Sequence, residues 1–329
     1  MGAVDLGQLE QTLAAAGEPA FRARQVWRWV SSGAAAYAEM TDLPAGLRAR
    51  LEEHVPFCSL EPSTQREAAD GTVKTLFHTH DGRPIEAVLM RYRDGRRSVC
   101  VSSQSGCALT CTFCATGAMK FGRNLTASEI LDQVLHFRRL ESVDHLVFMG
   151  MGEPLMNLDA VIAACERLPD VGISTAHTTI STVGWVPGID RLAVDGPRVR
   201  LALSLHAAEG DVRSALMPVN DRYPVVEVVE ACLRWREARN RRVYIEYLML
   251  DGVNDDPEQA TVLAEVLKPH EAFKVNLIPF NPTPGDYAGS SREAIEAFKA
   301  TLIASGIPTT VRLTRGRDIA AACGQLAAA

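Results

Sequence analysis

The chain has 329 residues, 47% of them hydrophobic and 22% charged, enough for one large core with a small appendage and typical of a globular protein. A net charge of -6 excludes a wholly basic nucleic-acid coat, no run approaches the ~18 apolar residues of a membrane span, and Met1-Gly2-Ala3-Val4-Asp5-Leu6 lacks the basic and apolar regions of a secretory signal. Eight cysteines without a disulfide-like framework, three of them clustered, fit a reducing compartment, so a cytoplasmic location is expected.

Residues 5 to about 55 read as small helices. Leu9, Leu13 and Ala16 form one apolar stripe, and after the Gly17-Glu18-Pro19 break Phe21, Val26, Trp27, Trp29 and Val30 form a second. Arginines interleave with aromatics from Phe21 to Trp29, a pattern that suits either RNA contact or the charged outer face of an amphipathic helix. From about 60 to 97 the pattern alternates and is punctuated by Asp70-Gly71, Asp81-Gly82 and Asp94-Gly95. Asp-Gly between alternating segments marks hairpins, because glycine accepts the positive φ those turns need. Antiparallel strands are expected over Thr72 to Thr79 and Arg83 to Tyr92.

Strand and helix signals then alternate. Strand-like runs cover Ser98 to Ser102, His145 to Met149, Thr178 to Ser181, Val199 to Leu205, Val243 to Leu248 and Lys274 to Pro279. Helical patterns cover Ala127 to Leu140, Leu158 to Leu168, Pro187 to Ala193, Val225 to Ala238, Pro257 to Leu267 and Arg292 to Ala304. Six successive βα units imply right-handed crossovers and a parallel sheet, too few to close an eight-stranded barrel. The fold class expected is therefore α/β, a partial (β/α)6 barrel with an N-terminal helical and β-hairpin extension.

In such barrels chemistry sits at the C-terminal ends of the strands, and the unusual polar residues fall there. The first barrel strand runs into Gly106-Cys107-Ala108-Leu109-Thr110-Cys111-Thr112-Phe113-Cys114. Three thiolates spaced CxxxCxxC can converge on one inorganic centre and, on a four-iron cluster, leave one iron open. Structural zinc would need a fourth ligand, and Cys58, Cys100, Cys165, Cys232 and Cys323 are scattered singles. Later strands end in Gly150-Met151-Gly152-Glu153, Ser181-Thr182, Ser204-Leu205-His206 and Pro279-Phe280-Asn281. Each is weak alone, but their placement round one rim outlines a pocket for a ligand with an amine, a carboxylate, a ribose and an adenine. Cys323 follows Arg315-Gly316-Arg317 in a poorly periodic, electropositive tail that favours thiolate, against the ordinary reading of a lone cysteine as a small buried hydrophobe. Arginine groups at Arg91 to Arg97, Arg234 to Arg242 and Arg312 to Arg317 are candidate phosphate contacts or plain solvated faces.

The segments SSQSGCALTCTFCATG, VFMGMGEPLMN, SLHA, MPVN, EYLMLDGVND, NLIPFNP and TRGRDIAAACGQL together resemble the RlmN/Cfr group of radical S-adenosylmethionine (SAM) RNA methyltransferases, over nearly the whole chain. The resemblance implies that Cys107, Cys111 and Cys114 ligate a [4Fe-4S] cluster and that Gly152, Glu153, Ser181, Ser204, Leu205, His206 and Asn281 bind SAM. It further implies that Cys323 is methylated by one SAM and gives up a hydrogen to the radical made from a second. The carbon then adds to the base, Glu86 or Cys100 takes the ring proton, and Cys100 releases the product by forming a transient disulfide. The implied product is 2-methyladenine, at adenine 2503 of 23S rRNA and in tRNA. The implied partners are those RNAs and an electron donor such as flavodoxin, with no membrane and a monomeric chain. Carbon 8 of the same base, the activity of the Cfr branch, a non-catalytic iron-sulfur RNA-binding module and a small-molecule radical SAM enzyme are the competing readings. Four segments follow: 1–58, a helical unit able to contact RNA; 59–96, the hairpin extension; 97–313, the partial barrel; and 314–329, the tail that carries the methyl-accepting cysteine.

Overall fold

The structure is a computed structural model and describes residues 4–327. Three helices, α1 (Leu6–Ala15), α2 (Phe21–Ser31) and α3 (Ala45–His54), open the chain. Their apolar stripes, Leu9 and Leu13, Val26, Trp27 and Val30, Leu47 and Leu51, are buried, and Trp27 Nε1 donates to Asp170 at 2.7 Å, tying this unit to the rest. Four strands follow, β1 (Leu60–Glu67), β2 (Val73–Thr79), β3 (Pro84–Arg91) and β4 (Arg97–Cys100), joined by the three Asp-Gly turns. Gly71, Gly82 and Gly95 have φ of 79°, 74° and 92°, the conformation that suits glycine and makes these turns legible in the sequence.

The chain then passes through a small antiparallel pair, β5 (Gln104–Ser105) with β6 (Arg123–Asn124), which brackets the cysteine loop. After it come α4 (Ala127–Arg138), β7 (His145–Phe148), α5 (Leu158–Arg167), β8 (Thr178–Thr182), α6 (Val186–Asp195), β9 (Arg200–Ser204), α7 (Gly210–Leu216), α8 (Val225–Arg239), β10 (Val243–Met249), α9 (Pro257–Val266), β11 (Phe273–Pro279), α10 (Arg292–Ala304) and β12 (Thr309–Val311).

All strands except β5 and β6 form one ten-stranded sheet in the order β1-β2-β3-β4-β7-β8-β9-β10-β11-β12. Pairing is antiparallel from β1 to β4 and parallel from β4 to β12. The order has two ends, so the barrel is open, and the hairpins continue its sheet. Two features go beyond the six expected βα units: α7 lies between β9 and α8, and a short seventh parallel strand, β12, follows α10. Because side chains alternate across a strand, Ile180, Leu201, Leu203, Ile245, Val275 and Leu277 are buried in the core while their neighbours Ser181, Ser204, Glu246 and Ile278 line a cavity. Each fully buried aliphatic side chain contributes about 1.5–3 kcal/mol, so the core face fixes which polar residues point inward.

Candidate active site

The cysteine loop is closed by backbone geometry. Gly106 has φ 72°, and a Cβ there would stand 2.4 Å from the carbonyl oxygen of Lys120, so only glycine lets the chain turn at this point. Cys114 N donates to Cys111 O at 3.2 Å, and Ala115 N donates to Gly324 O at 2.8 Å, which fastens the C-terminal segment to the loop. Cys107, Cys111 and Cys114 line one cavity of about 160 Å³. Burial pushes the Cys107 thiol up to about 12 and the Cys111 thiol higher still, and Cys114 adds to both. Such thiols release their protons when a bound cation takes the thiolates as ligands.

The same cavity is lined by Gly152, Glu153, Ser181, Ser204, His206 and Asn281. Glu153 is 3% exposed; its Oε1 accepts from Leu155 N at 3.0 Å and its Oε2 from Val183 N at 2.9 Å. Burial raises its pKa to about 7 against those two backbone bonds, so a ligand cation is what would hold it charged. Gly152 has φ 94°, and a Cβ would meet the Gln104 side chain at 2.4 Å. Ser181 Oγ and Ser204 Oγ lie 3.2 Å apart.

His206 has φ 60°, in the left-handed region, and Asn254 holds it there by donating to its carbonyl at 2.7 Å. His206 Nδ1 accepts from Leu248 N at 3.0 Å, which leaves Nε2 as the N–H donor. Burial lowers its pKa to about 3, and Arg213 acts in the same sense, so it is neutral. Asn281 Nδ2 donates to Cys323 O at 3.3 Å, while its buried Oδ1 has no hydrogen-bond partner among the described residues.

Leu205 is not a lining residue. It sits between Ser204 and His206, its side chain is fully buried in the core, and only its backbone serves the site, accepting from Arg213 Nε at 3.1 Å.

Cys323 lines the cavity of the three cysteines and also a smaller one of about 40 Å³ that Cys100 lines. Burial pushes the Cys100 thiol up to about 12, with Cys323 adding to the rise. Arg312 lines both cavities as well, and among the described residues no other lysine or arginine lines the larger one. The negative charge available on Cys323 strengthens its protonation, ahead of Glu246, Tyr92 and Cys100. Its Nη1 donates to Glu246 Oε2 at 3.3 Å. Glu86 lies outside both cavities. Its carboxylate pairs with Lys74 at 2.7 Å and accepts from Ala327 N at 3.0 Å, which places it beside the tail.

A radical SAM superfamily profile matches residues 101–263, and a ribosomal RNA large subunit methyltransferase N-terminal domain profile matches residues 2–56. The dual-specificity RNA methyltransferase RlmN of Anaeromyxobacter dehalogenans is 45% identical over 98% of this chain and 90% of its own length. The probable dual-specificity RNA methyltransferase RlmN of Gemmatimonas aurantiaca is 47% identical over 98% and 90%. The crystal structure of a radical SAM methyltransferase from Sphaerobacter thermophilus superposes with a TM-score of 0.92 at 46% identity, covering 98% of both chains. This chain belongs to the RlmN family of radical SAM RNA methyltransferases. Its RlmN-family cofactors are a [4Fe-4S] cluster and SAM.

The residues present suit both. Three thiols on one loop, with no fourth cysteine lining that cavity except Cys323 on the tail, are a donor set for a cluster with an open iron. Among the described residues no group of three or more His, Cys, Asp or Glu side chains is disposed to hold a single metal ion. The buried Glu153 carboxyl and the unpartnered Asn281 Oδ1 are an acceptor set for a ligand that brings its own N–H and O–H donors.

Three contributors were not singled out in the sequence. Arg312 was grouped with possible phosphate contacts but faces the cavity. Arg213, wholly buried, donates to Leu205 O, Asn220 Oδ1 and Val183 O and so joins the loops after β8 and β9. Asn254 bonds Leu250 N, His206 O and Leu248 O at 2.6–2.7 Å. The last two lie in or just before the MPVN and EYLMLDGVND segments, the one signal that marked them.

Proposed function

We propose that this chain methylates carbon 2 of adenine in 23S rRNA and tRNA through Cys323. The observation that carries the reading is the position of Cys323, which lines both the cavity of Cys107, Cys111 and Cys114 and the cavity of Cys100. Cys107, Cys111 and Cys114 would hold the cluster; Gly152, Glu153, Ser181, Ser204, His206 and Asn281 would hold SAM. When bound, these groups supply a methyl cation equivalent and a carbon radical able to abstract hydrogen.

The chain's own residues do the rest. Glu153 orients an ammonium, and the neutral His206 offers Nε2–H in a site that burial keeps dry. Arg312 sets positive charge beside Cys323, the sulfur that accepts a methyl group. Once that carbon is joined to the base, and the ring proton and one electron have left (the electron returning to the bound cofactors), the Cys100 thiolate attacks the Cys323 sulfur; the sulfur-carbon bond breaks, its electron pair takes up a proton to complete the methyl group, a disulfide forms, and the methylated base leaves. Burial favours the protonated thiol of Cys100, so its attack follows loss of that proton. The ring proton goes to Glu86, which Lys74 holds, or to Cys100.

The N-terminal unit of residues 1–58 and the hairpins of 59–96 are the proposed RNA contacts. Within the hairpins Arg91 and Arg97 are spoken for by Glu141, whereas the helical unit leaves Arg24 and Arg28 exposed beside Phe21, 47% exposed. The proposed reductant is a flavodoxin-type donor and the working unit a cytoplasmic monomer. The reading is tested by incubating the reconstituted enzyme with SAM and protein-free 23S rRNA or tRNA, then digesting the RNA. It predicts 2-methyladenosine from wild type and none from Cys323→Ala; methylation by Cys323→Ala would support a non-thiol route, and 8-methyladenosine the other regiochemistry.

A further inference from the structure

The segment that carries Cys323 is not a free tail. Gly316 N donates to Asp70 Oδ2 at 3.2 Å, Ala69 N donates to Asp318 Oδ2 at 3.0 Å, and Arg315 pairs with Asp70 at 3.7 Å. These fasten its entry to the β1–β2 turn. Further along, Lys74 Nζ donates to Ala320 O at 3.3 Å, and Ala327 N donates to Glu86 Oε2 at 3.0 Å. Lys74 and Glu86 are themselves paired at 2.7 Å, with side chains 7% and 0% exposed. One buried ion pair therefore grips the segment on both sides of Cys323, three residues before it and four after.

Ala320, the point Lys74 holds, has φ 51° and ψ 44°. A non-glycine residue in the left-handed region is strained and persists only where its surroundings hold it. The buried ammonium supplies that hold, because breaking its bond to the Ala320 carbonyl would leave a desolvated donor short of a partner.

We propose that the Lys74–Glu86 pair is the positioning device of the Cys323 segment, setting the thiol where it borders both cavities. The inference rests on Cys323 as the methyl acceptor, and it gives Glu86 a structural reason to be acidic and buried that is separate from proton transfer. Strands β2 and β3 then serve the reaction through the tail, without touching the reacting atoms.

The test uses Lys74→Gln, Glu86→Gln and the apolar double variant Lys74→Met/Glu86→Leu in the full-length protein. The double variant is included because a well-packed apolar pair replaces a buried ion pair without leaving a lone buried charge. Two readouts are taken. Alkylation of Cys323 by iodoacetamide is followed peptide by peptide in the cluster-free protein, with the buried Cys165 and Cys232 as internal reporters of global unfolding. Methyl incorporation on Cys323 is followed in the reconstituted enzyme with SAM and no RNA. Expected are a rise of about tenfold in Cys323 alkylation with Cys165 and Cys232 still protected, and a fall of about tenfold in Cys323 methylation, in all three variants. If Glu86 instead serves only as a base, Glu86→Gln will methylate Cys323 at the wild-type rate and stall with RNA attached, Lys74→Gln will behave as wild type, and the proposal is overturned. It is equally overturned if the double variant folds and both readouts match wild type. A wild-type enzyme that never methylates Cys323 would sink the functional reading, and the alkylation arm would still decide the clamp.

Discussion

Replacing Glu153 by glutamine separates the stability of the fold from its use. The carboxyl is buried and its pKa stands at about 7 against an ordinary 4.5. A carboxyl raised on folding stabilises the folded state fully below its unfolded pKa, and that contribution is lost as pH rises through the folded value. At ~1.4 kcal/mol per decade of displacement, the loss between pH 4.5 and 7 amounts to about 3 kcal/mol. Glutamine does not titrate, so the variant lacks this slope. Urea unfolding of the cluster-free protein at pH 5, 6, 7 and 8 should show the wild-type unfolding free energy falling relative to the variant by about 2.5 kcal/mol from the first to the last. The constant offset between them will include the cost of turning an amide NH₂ toward the Leu155 or Val183 N–H, about 1–3 kcal/mol. Parallel pH profiles would refute the claim that Glu153 is a strained, buried acid waiting for a cation. In the reconstituted enzyme the same variant should bind SAM about 10- to 100-fold more weakly, the worth of one charge-assisted hydrogen bond at about 1.5–3 kcal/mol.

Other substitutions probe the remaining parts. Asn254→Ala removes the bonds to Leu250 N, Leu248 O and the left-handed His206, and should cost about 3 kcal/mol in denaturant unfolding. Gly152→Ala forces a Cβ to within 2.4 Å of Gln104 at φ 94°, so SAM binding measured by calorimetry should be lost even where the chain still folds. Serine at any one of Cys107, Cys111 or Cys114 should leave iron content and the visible absorption of the reconstituted protein at a small fraction of wild type. Cys100→Ala should methylate Cys323 normally and accumulate protein cross-linked to RNA on denaturing gels, since nothing then attacks the Cys323 sulfur.

What was legible in the sequence follows from local physics. The Asp-Gly turns, the alternation in β2 and β3 and the six barrel strands each repeat a period that a core face imposes, and the rim residues fall at strand ends because the strands were located. The strand β1 went unnamed because it is the sheet's edge: from Glu61 to Glu67 every residue is exposed, so nothing selects for alternation. The strand β12 has three residues, too few to show a period. Arg312 was read with its arginine neighbours on surface grounds, yet it directly follows β12 and so inherits that strand's inward face. Glu86, Lys74 and Asp70 meet residues some 240 positions away, and no local pattern announces such a contact. The paired alternation that brings Ser204 and His206 to the cavity is what takes Leu205 into the core.

The central claim is that one carbon travels through Cys323 to the base. The direct measurement is a pulse-chase in which the reconstituted enzyme is loaded with SAM carrying a deuterated methyl group, freed of it, and then given unlabelled SAM, reductant and RNA. The account predicts a labelled Cys323 peptide before RNA is added and, in the first turnover, a labelled carbon on adenine as the peptide loses it. A first-turnover product carrying only the unlabelled carbon, with the labelled Cys323 peptide unchanged, would contradict it.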